Sequence, residues 1–185
     1  MVTTARRRRV DTSTITIRTL RPDEGDLLDD LVARMSPRSR YLRFHTPVRA
    51  LDDRMRRSLL DVDARDHIAL VAEADDGTPI GIARMIRDRR SRGEAEVAFA
   101  VVDSWHRRGV GRQLLDTLVH RAPAFGITRL HAYVLAGNDA ALGLFRDVLG
   151  VVLTRSDGDT VHLVGLVGDR DWEITMDDVM ADLAG

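Results

Sequence analysis

The sequence predicts an α/β (α+β) domain: a central mixed, mostly antiparallel twisted sheet of six to seven strands, flanked by about four helices. Three observations carry that reading. Short stretches that alternate apolar and polar residues take turns along the chain with stretches whose apolar residues recur at helical spacing. The turn sequences Asp75-Asp76-Gly77-Thr78 and Ser156-Asp157-Gly158-Asp159 each sit between two strand patterns, as hairpins require. Finally, a Val- and Phe-rich strand holding Glu94 and Glu96 runs through a turn with Gly109 and Gly111 straight into an amphipathic helix.

The elements follow in order. Residues 1–13 are polar and carry Arg6 to Arg9, so they are expected to be a disordered arm. Order is expected from about residue 14, where Ile15 and Ile17 alternate with Thr14, Thr16 and Arg18 as in a half-buried strand. Pro22-Asp23-Glu24 then opens a helix through Leu27, Leu28, Leu31 and Val32. A short segment, Ser36 to Thr46, precedes a helix from about Leu51 to Leu60, and strands His67–Ala74 and Pro79–Arg87 flank the first hairpin turn. The turn Arg89 to Gly93 leads into the Glu96 strand, and Leu114, Leu115, Leu118 and Val119 mark the helix after the glycines. Leu130–Leu135 is the next strand, Asn138 or Asp139 caps a helix to Leu149, and two final strands flank the second hairpin turn. The domain is expected to span 14–168, followed by an acidic amphipathic tail, 169–185, with Trp172, Met176, Val179, Met180 and Leu183 at roughly helical spacing.

Composition removes several functions. At 185 residues the chain is sized for one domain, and it holds no cysteine, which excludes disulfides, thiolate metal sites and a Cys nucleophile. The histidines form no HxxxH pair and no carboxylate cluster at ligand spacing, so no metal is expected. A net charge of -1, and Arg runs without interleaved aromatics, argue against nucleic acid. No stretch approaches the ~18 apolar residues of a membrane span, and the basic N-terminus lacks an apolar signal segment, so no membrane is expected and a cytoplasmic location is. All 28 basic side chains are arginine. A compositional bias toward arginine explains this most simply.

The turn His106-Arg107-Arg108-Gly109-Val110-Gly111 is neither a dinucleotide fingerprint, because Leu114 fills the third glycine position, nor a P-loop, because no Gly-Lys-Ser/Thr follows. Its glycines let backbone amides approach a diphosphate, and the helix that follows offers unpaired N–H groups and a positive dipole end. Arg107, Arg108 and Arg112 add positive charge. The turn resembles the acetyl-CoA signature Q/R-x-x-G-x-G/A of the GNAT superfamily of N-acetyltransferases, and the element order agrees over roughly residues 15 to 168. A second pattern, Asn138-Asp139-Ala140-Ala141 to Phe145 with Leu149-Gly150-Val151, is similar to the family's N-x-x-A-x-x-L-Y and L-G-F. Ser36-Pro37 and Tyr41 to Pro47 (YLRFHTP) resemble a segment of bacterial Pat-type protein lysine acetyltransferases.

The resemblance implies a GNAT fold and direct transfer of acetyl from acetyl-CoA, as co-substrate, to a primary amine. A protein lysine is the foremost acceptor, with an acyl-CoA synthetase as one candidate partner; a small-molecule amine or antibiotic acetyltransferase and a non-catalytic acyl-CoA-binding regulator are the alternatives. The enzyme would act as a monomer or homodimer. Cofactor contacts are implied at Phe99, Val101, His106, Arg107, Arg108, Gly109, Val110, Gly111, Arg112, Asn138 and Phe145. Two departures stand out: His106 occupies the usual Gln/Arg place, and Phe145 replaces the tyrosine that protonates the departing thiolate, a loss shared by many Pat-type members.

An amine of pKa ~10.4 must lose a proton before it attacks. Pat-type enzymes carry a glutamate on the strand before the glycine turn, and Glu96 matches it as the catalytic base. Alternation puts Glu94, Glu96 and Ala98 on one strand face. Apolar surroundings and the second carboxylate would raise the Glu96 pKa, while nearby arginines would lower it. Glu94, nearer the preceding turn, is expected to be the more solvated of the two. A strand amide near Ala98 to Ala100 is expected to face the reacting carbonyl oxygen.

Overall fold

A computed structural model describes residues 15–167. The expected arm, 1–13, and acidic tail, 169–185, lie outside the described residues. Seven strands form one sheet in the order β1-β2-β3-β4-β5-β7-β6: β1 Thr16–Thr19, β2 His67–Glu73, β3 Pro79–Arg87, β4 Glu94–Val101, β5 Arg129–Leu135, β6 Val151–Asp157 and β7 Thr160–Leu166. The helices are α1 Gly25–Ala33, α2 Pro37–Phe44, α3 Asp53–Leu60, α4 Val110–Arg121 and α5 Asp139–Leu149. The described pairings include antiparallel β1–β2, β5–β7 and β6–β7 and parallel β4–β5, so the sheet is mixed as expected. Among the described residues there are five α-helices, where about four were expected. The additional one is α2, whose Arg-rich sequence buries no residue and therefore shows no apolar stripe. Its signature is at its start, where Ser36 accepts from the Ser39 amide and Pro37 fills the first turn.

The chain divides into two compact units. Among the described residues, one comprises those up to Arg84 with Phe99–Leu114; the other comprises Met85–Ala98 and those from Leu115 to Val167. In the first, Leu28, Leu31 and Val32 of α1 line a small apolar cavity with Ile82 of β3 and Ala100 of β4. Gly81 matters most for placing the glycine turn. A Cβ there would lie 3.0 Å from the Leu114 side chain, 3.1 Å from that of Val110 and 3.2 Å from the Ala100 carbonyl, so the bare backbone of β3 is what lets the first turn of α4 settle onto it.

Two charged groups brace this unit. Arg18 on β1 holds both Glu73 oxygens, at 2.6 and 3.0 Å, and also donates to Glu24 at 2.9 Å. Burial pushes the Glu24 carboxyl up, but the Arg18 guanidinium and the Arg21 amide outweigh it and hold the group below the usual carboxylate range. Deeper in, His67 and Arg84 are both buried. His67 Nδ1 donates to the Asp61 carbonyl at 2.6 Å, which leaves Nε2 to accept from Arg84 at 2.5 Å. Burial first, and the Arg84 charge second, push the imidazole below its ordinary value.

In the second unit, α5 lies against β7 and buries Leu142, Phe145 and Leu149. Gly165 on β7 faces the end of that helix, where a Cβ would come within 2.5 Å of both the Leu149 Cβ and its carbonyl oxygen. The β6–β7 hairpin turns at Gly158, φ 57°, and the first hairpin at Gly77, φ 79°. Both are the turns that the sequence indicates.

Gly165→Ala therefore meets backbone that cannot yield, and its unfolding free energy is expected to fall by about 1–3 kcal/mol in urea denaturation. His67 gives a pH test. Because its folded pKa is lowered, its contribution is complete above the ordinary imidazole value of ~6.5 and is lost as pH falls through the folded value. Urea midpoints measured from about pH 7.5 down to about pH 5 are expected to decline less steeply in His67→Gln than in the parent; parallel slopes would contradict the assignment.

Candidate active site

The first unit carries the glycine turn. After β4, a single 3-10 turn, Asp103–Trp105, leads through His106 to Gly109, and α4 begins at Val110. Gly111 is therefore inside the first helical turn rather than ahead of the helix. Arg107 at φ 59° and Gly109 at φ 83° both take left-handed backbone, and together they swing the chain around so that the helix N-terminus opens outward. Arg107, Arg108, Gly109 and Arg112 are exposed, while Val110 is buried and anchors the turn. The Arg108 guanidinium lies 4.9 Å over the Trp105 ring. His106 is exposed, yet its Nε2 donates to the Val101 carbonyl at 2.9 Å, so its imidazole braces the turn from within. Of the two remaining cofactor candidates in this unit, Val101 is buried and Phe99 half-buried.

Asp103 is the residue that sequence reasoning missed. Its carboxylate accepts from the Ser36 amide at 2.7 Å, the Ser36 hydroxyl at 2.7 Å and the Ser39 hydroxyl at 2.8 Å. Burial raises its pKa, but these donors lower it further, so the group sits below the usual carboxylate range. The start of α2 is thereby tied to the entry of the glycine turn. The available signal was chemical: Ser36-Pro37 with Ser39 forms a cap whose hydroxyls need an acceptor.

The second unit carries Glu96, Asn138 and Phe145. Glu96 is exposed, and among the described residues no hydrogen bond or ion pair engages its carboxylate. Glu94 reverses the sequence expectation that it is the more solvated of the two. It is half-buried, accepting from His131 Nε2 at 3.0 Å and pairing with Arg129 at 3.7 Å, because β5 sets Arg129 and His131 beside it. The β4–β5 ladder runs from Glu94↔Arg129 to Glu96↔His131, while β4 continues to Val101. Along β4 the burial alternation breaks at Ala98 and Phe99, which are both half-buried.

The same face of β5 and β7 holds a ring cluster that sequence reasoning also passed over. His131 Nδ1 meets His162 Nε2 at 3.0 Å, and the exposed Tyr133 ring stacks on His162 with centroids 4.5 Å apart and planes 8° apart. Burial, then the charges of Glu96, Asp88 and Glu94, push the Tyr133 hydroxyl above its ordinary value. The period-2 sequence Arg129-x-His131-x-Tyr133 was the signal for a polar face. On α5, Asn138 is the N-cap and its side chain accepts from the Ala141 amide at 3.3 Å. Phe145 is 3% exposed, a core residue with no proton to give. Among the described residues no cluster could hold a metal ion, and no helix is long and apolar enough to cross a membrane.

A parallel β4–β5 pair connected through a glycine turn and the N-terminus of a twelve-residue helix, within a seven-stranded mixed sheet, defines an acetyltransferase fold of the GNAT type. The chain belongs to the acetyltransferase (GNAT) family, whose model matches residues 30–151. It is similar to acetyltransferase Pat of Mycolicibacterium smegmatis, at 37% identity over 121 residues, covering 63% of this chain and 35% of that one. This chain thus spans about a third of the length of that relative. Among solved structures it is similar to the GNAT domain of S. lividans PAT, with TM-score 0.78 and 28% identity, covering 85% of this chain and 93% of that one. The fold also matches a phosphinothricin acetyltransferase from Sinorhizobium meliloti in complex with AcCoA, with TM-score 0.70 and 17% identity, covering 88% and 94%.

Removing the Asp103 acceptor should loosen the α2 start. Asp103→Ala is expected to lower the unfolding free energy by about 1–2 kcal/mol and Asp103→Asn by less, read in urea titrations; an unchanged midpoint for the alanine variant would show that the three bonds hold nothing.

Proposed function

We propose that this GNAT acetyltransferase uses acetyl-CoA to acetylate a protein lysine by direct transfer. The observation that carries the reading is in the first unit, where Asp103 ties the α2 segment that resembles Pat-type enzymes to the glycine turn. The turn fits a diphosphate: left-handed Gly109 strips side-chain bulk from the approach, and Val110 and Gly111 open α4, where a helix has no carbonyl one turn back for its first amides. Arg107, Arg108 and Arg112 supply charge for it. Phe99 and Val101, on β4 of the same unit, would line more of the cofactor. In the second unit Asn138 keeps its side-chain N–H2 for a ligand while its oxygen caps α5, and Phe145 is core rather than lining.

Glu96 is the proposed base. Its carboxylate is exposed and unengaged, ready to take a proton from an ammonium directly or through one water. The neutral amine then attacks the thioester carbonyl carbon, a nitrogen–carbon bond forms, and the developing oxyanion meets a strand amide of the Ala98 to Ala100 region. Collapse breaks the carbon–sulfur bond and releases the CoA thiolate. Phe145 cannot protonate that thiolate, so its proton comes from water or from the attacking nitrogen, which sheds its extra proton as the amide forms. Acetyl-CoA in the S. meliloti structure of the same fold supports the donor; the resemblance of Ser36-Pro37 and YLRFHTP to Pat-type protein lysine acetyltransferases supports the acceptor class.

Two measurements test this. With a lysine peptide and saturating acetyl-CoA, Glu96→Gln is expected to lower CoA release by roughly 10²-fold or more, and an unchanged rate removes Glu96 from the mechanism. Gly109→Val forces a branched side chain to φ near 83°. Calorimetry should then show acetyl-CoA binding weakened by roughly tenfold or more; equal affinity would sink the phosphate-turn assignment. A panel of peptides, acyl-CoA synthetases and small amines separates the protein acceptor from a small-molecule one.

A further inference from the structure

The face of the second unit that presents Glu96 also presents a built aromatic surface with no role in the chemistry described so far. Tyr133, 48% exposed, lies flat on His162, and His162 is held in place by His131, which is itself fixed by Glu94. The hydrogen-bond chain sets the orientations. Glu94 accepts from His131 Nε2–H, so the neutral His131 ring presents Nδ1 as acceptor to His162 Nε2–H. Such a chain holds Tyr133 from beneath and leaves its outer ring face uncovered. An exposed tyrosine whose ring is pinned in this way costs little conformational entropy when something docks on it.

Charge selects the occupant. Arg129 and His131 together engage Glu94, whereas among the described residues nothing pairs with Glu96. The face therefore offers one carboxylate with neither hydrogen bond nor ion pair, Glu96, beside one open aromatic ring; Asp88, whose charge also reaches Tyr133, accepts from the Arg90 amide. An alkyl chain that ends in a single ammonium matches both: its methylenes cover the ring, and its charge is attracted by the ring face and by Glu96. A polycation would need a second carboxylate as open as Glu96.

We infer that Tyr133, braced by His162 and His131, is the specificity-determining platform that receives the acceptor's lysine side chain next to Glu96. The assignment rests on the proposed acetylation of a lysine, and it adds the residue that chooses the acceptor. Tyr133 contributes to acceptor binding and not to proton transfer, so its loss separates from that of Glu96. Its ring matters and its hydroxyl does not.

The direct test needs no turnover. The ring C–H resonances of His131 and His162 are followed by NMR as Nα-acetyl-lysine methylamide is added, with the norleucine analogue as the uncharged control. A saturable shift with the lysine compound alone, kept in Tyr133→Phe and lost in Tyr133→Ala, is the expected result. No shift, or an equal shift with norleucine, overturns the platform. So does tighter binding of putrescine than of the lysine compound, or a shift that follows protein dilution instead of ligand, which would mean that a second copy covers the face. In the lysine-peptide assay, Tyr133→Ala should raise the acceptor KM roughly tenfold with kcat and the acetyl-CoA KM changed by less than about twofold. An unchanged acceptor KM overturns it. The two readings fail separately. Full turnover in Glu96→Gln with the lysine shift present in the parent protein removes the base and leaves the platform, whereas lost turnover in Glu96→Gln with no lysine shift in the parent protein removes the platform and leaves the base.

Discussion

The close seating of α4 on β3 at Gly81 is the contact on which the rest of the first unit depends. With no side chain at Gly81, Val110 and Leu114 reach the strand backbone, and the helix N-terminus is held at a fixed height above Ala100. A helix start is useful to an anion only if its amides are presented and its axis does not wander. Buried Val110 and Leu114 fix the axis, while left-handed Arg107 and Gly109 present the amides. His106 bonds Val101 and Arg108 stacks on Trp105, so the exposed turn is tied down by its own side chains.

The polar contacts around that seat have a clear division of labour. Asp103 collects three donors from the α2 start, and Arg18 collects two carboxylates at the other end of the unit. Neither group is deeply buried, so their value lies in geometry more than in energy: hydrogen bonds with several partners fix an orientation that a single exposed pair would leave loose. The second unit works differently. There the brace is a chain of rings and carboxylates, Glu94 to His131 to His162 to Tyr133, lying across three strands. Glu96, next to that chain, is left without a partner.

Much of the fold was legible in the sequence because strand alternation and turn chemistry are local. Ile15 and Ile17, the two Asp/Gly hairpin turns and the Leu114 to Val119 stripe each report their own element. Helix α2 was not legible by pattern. Its residues are half-buried or exposed, and a helix without an apolar stripe has no period to read. Its cap at Ser36-Pro37 was visible, but that cap gained its meaning only once Asp103, 67 residues away, supplied the acceptor. The candidate site divides along the same line: the glycine turn and Asn138 were legible as local backbone devices, whereas the partners of the two glutamates were not.

By itself the sequence determined the sheet-and-helix order, the glycine turn with its arginines and the absence of any cysteine chemistry, whereas the core position of Phe145 came from the structure. Only the tertiary structure decided which glutamate is engaged and which is free. Both lie on one strand face in the same alternation, and the choice is made by register: β5 brings Arg129 and His131 to Glu94, and β7 brings His162 under Tyr133. Register is a pairing between segments some 30 residues apart. No property of β4 alone encodes it, because hydrogen-bonded strands exchange side-chain neighbours only after the chain has folded.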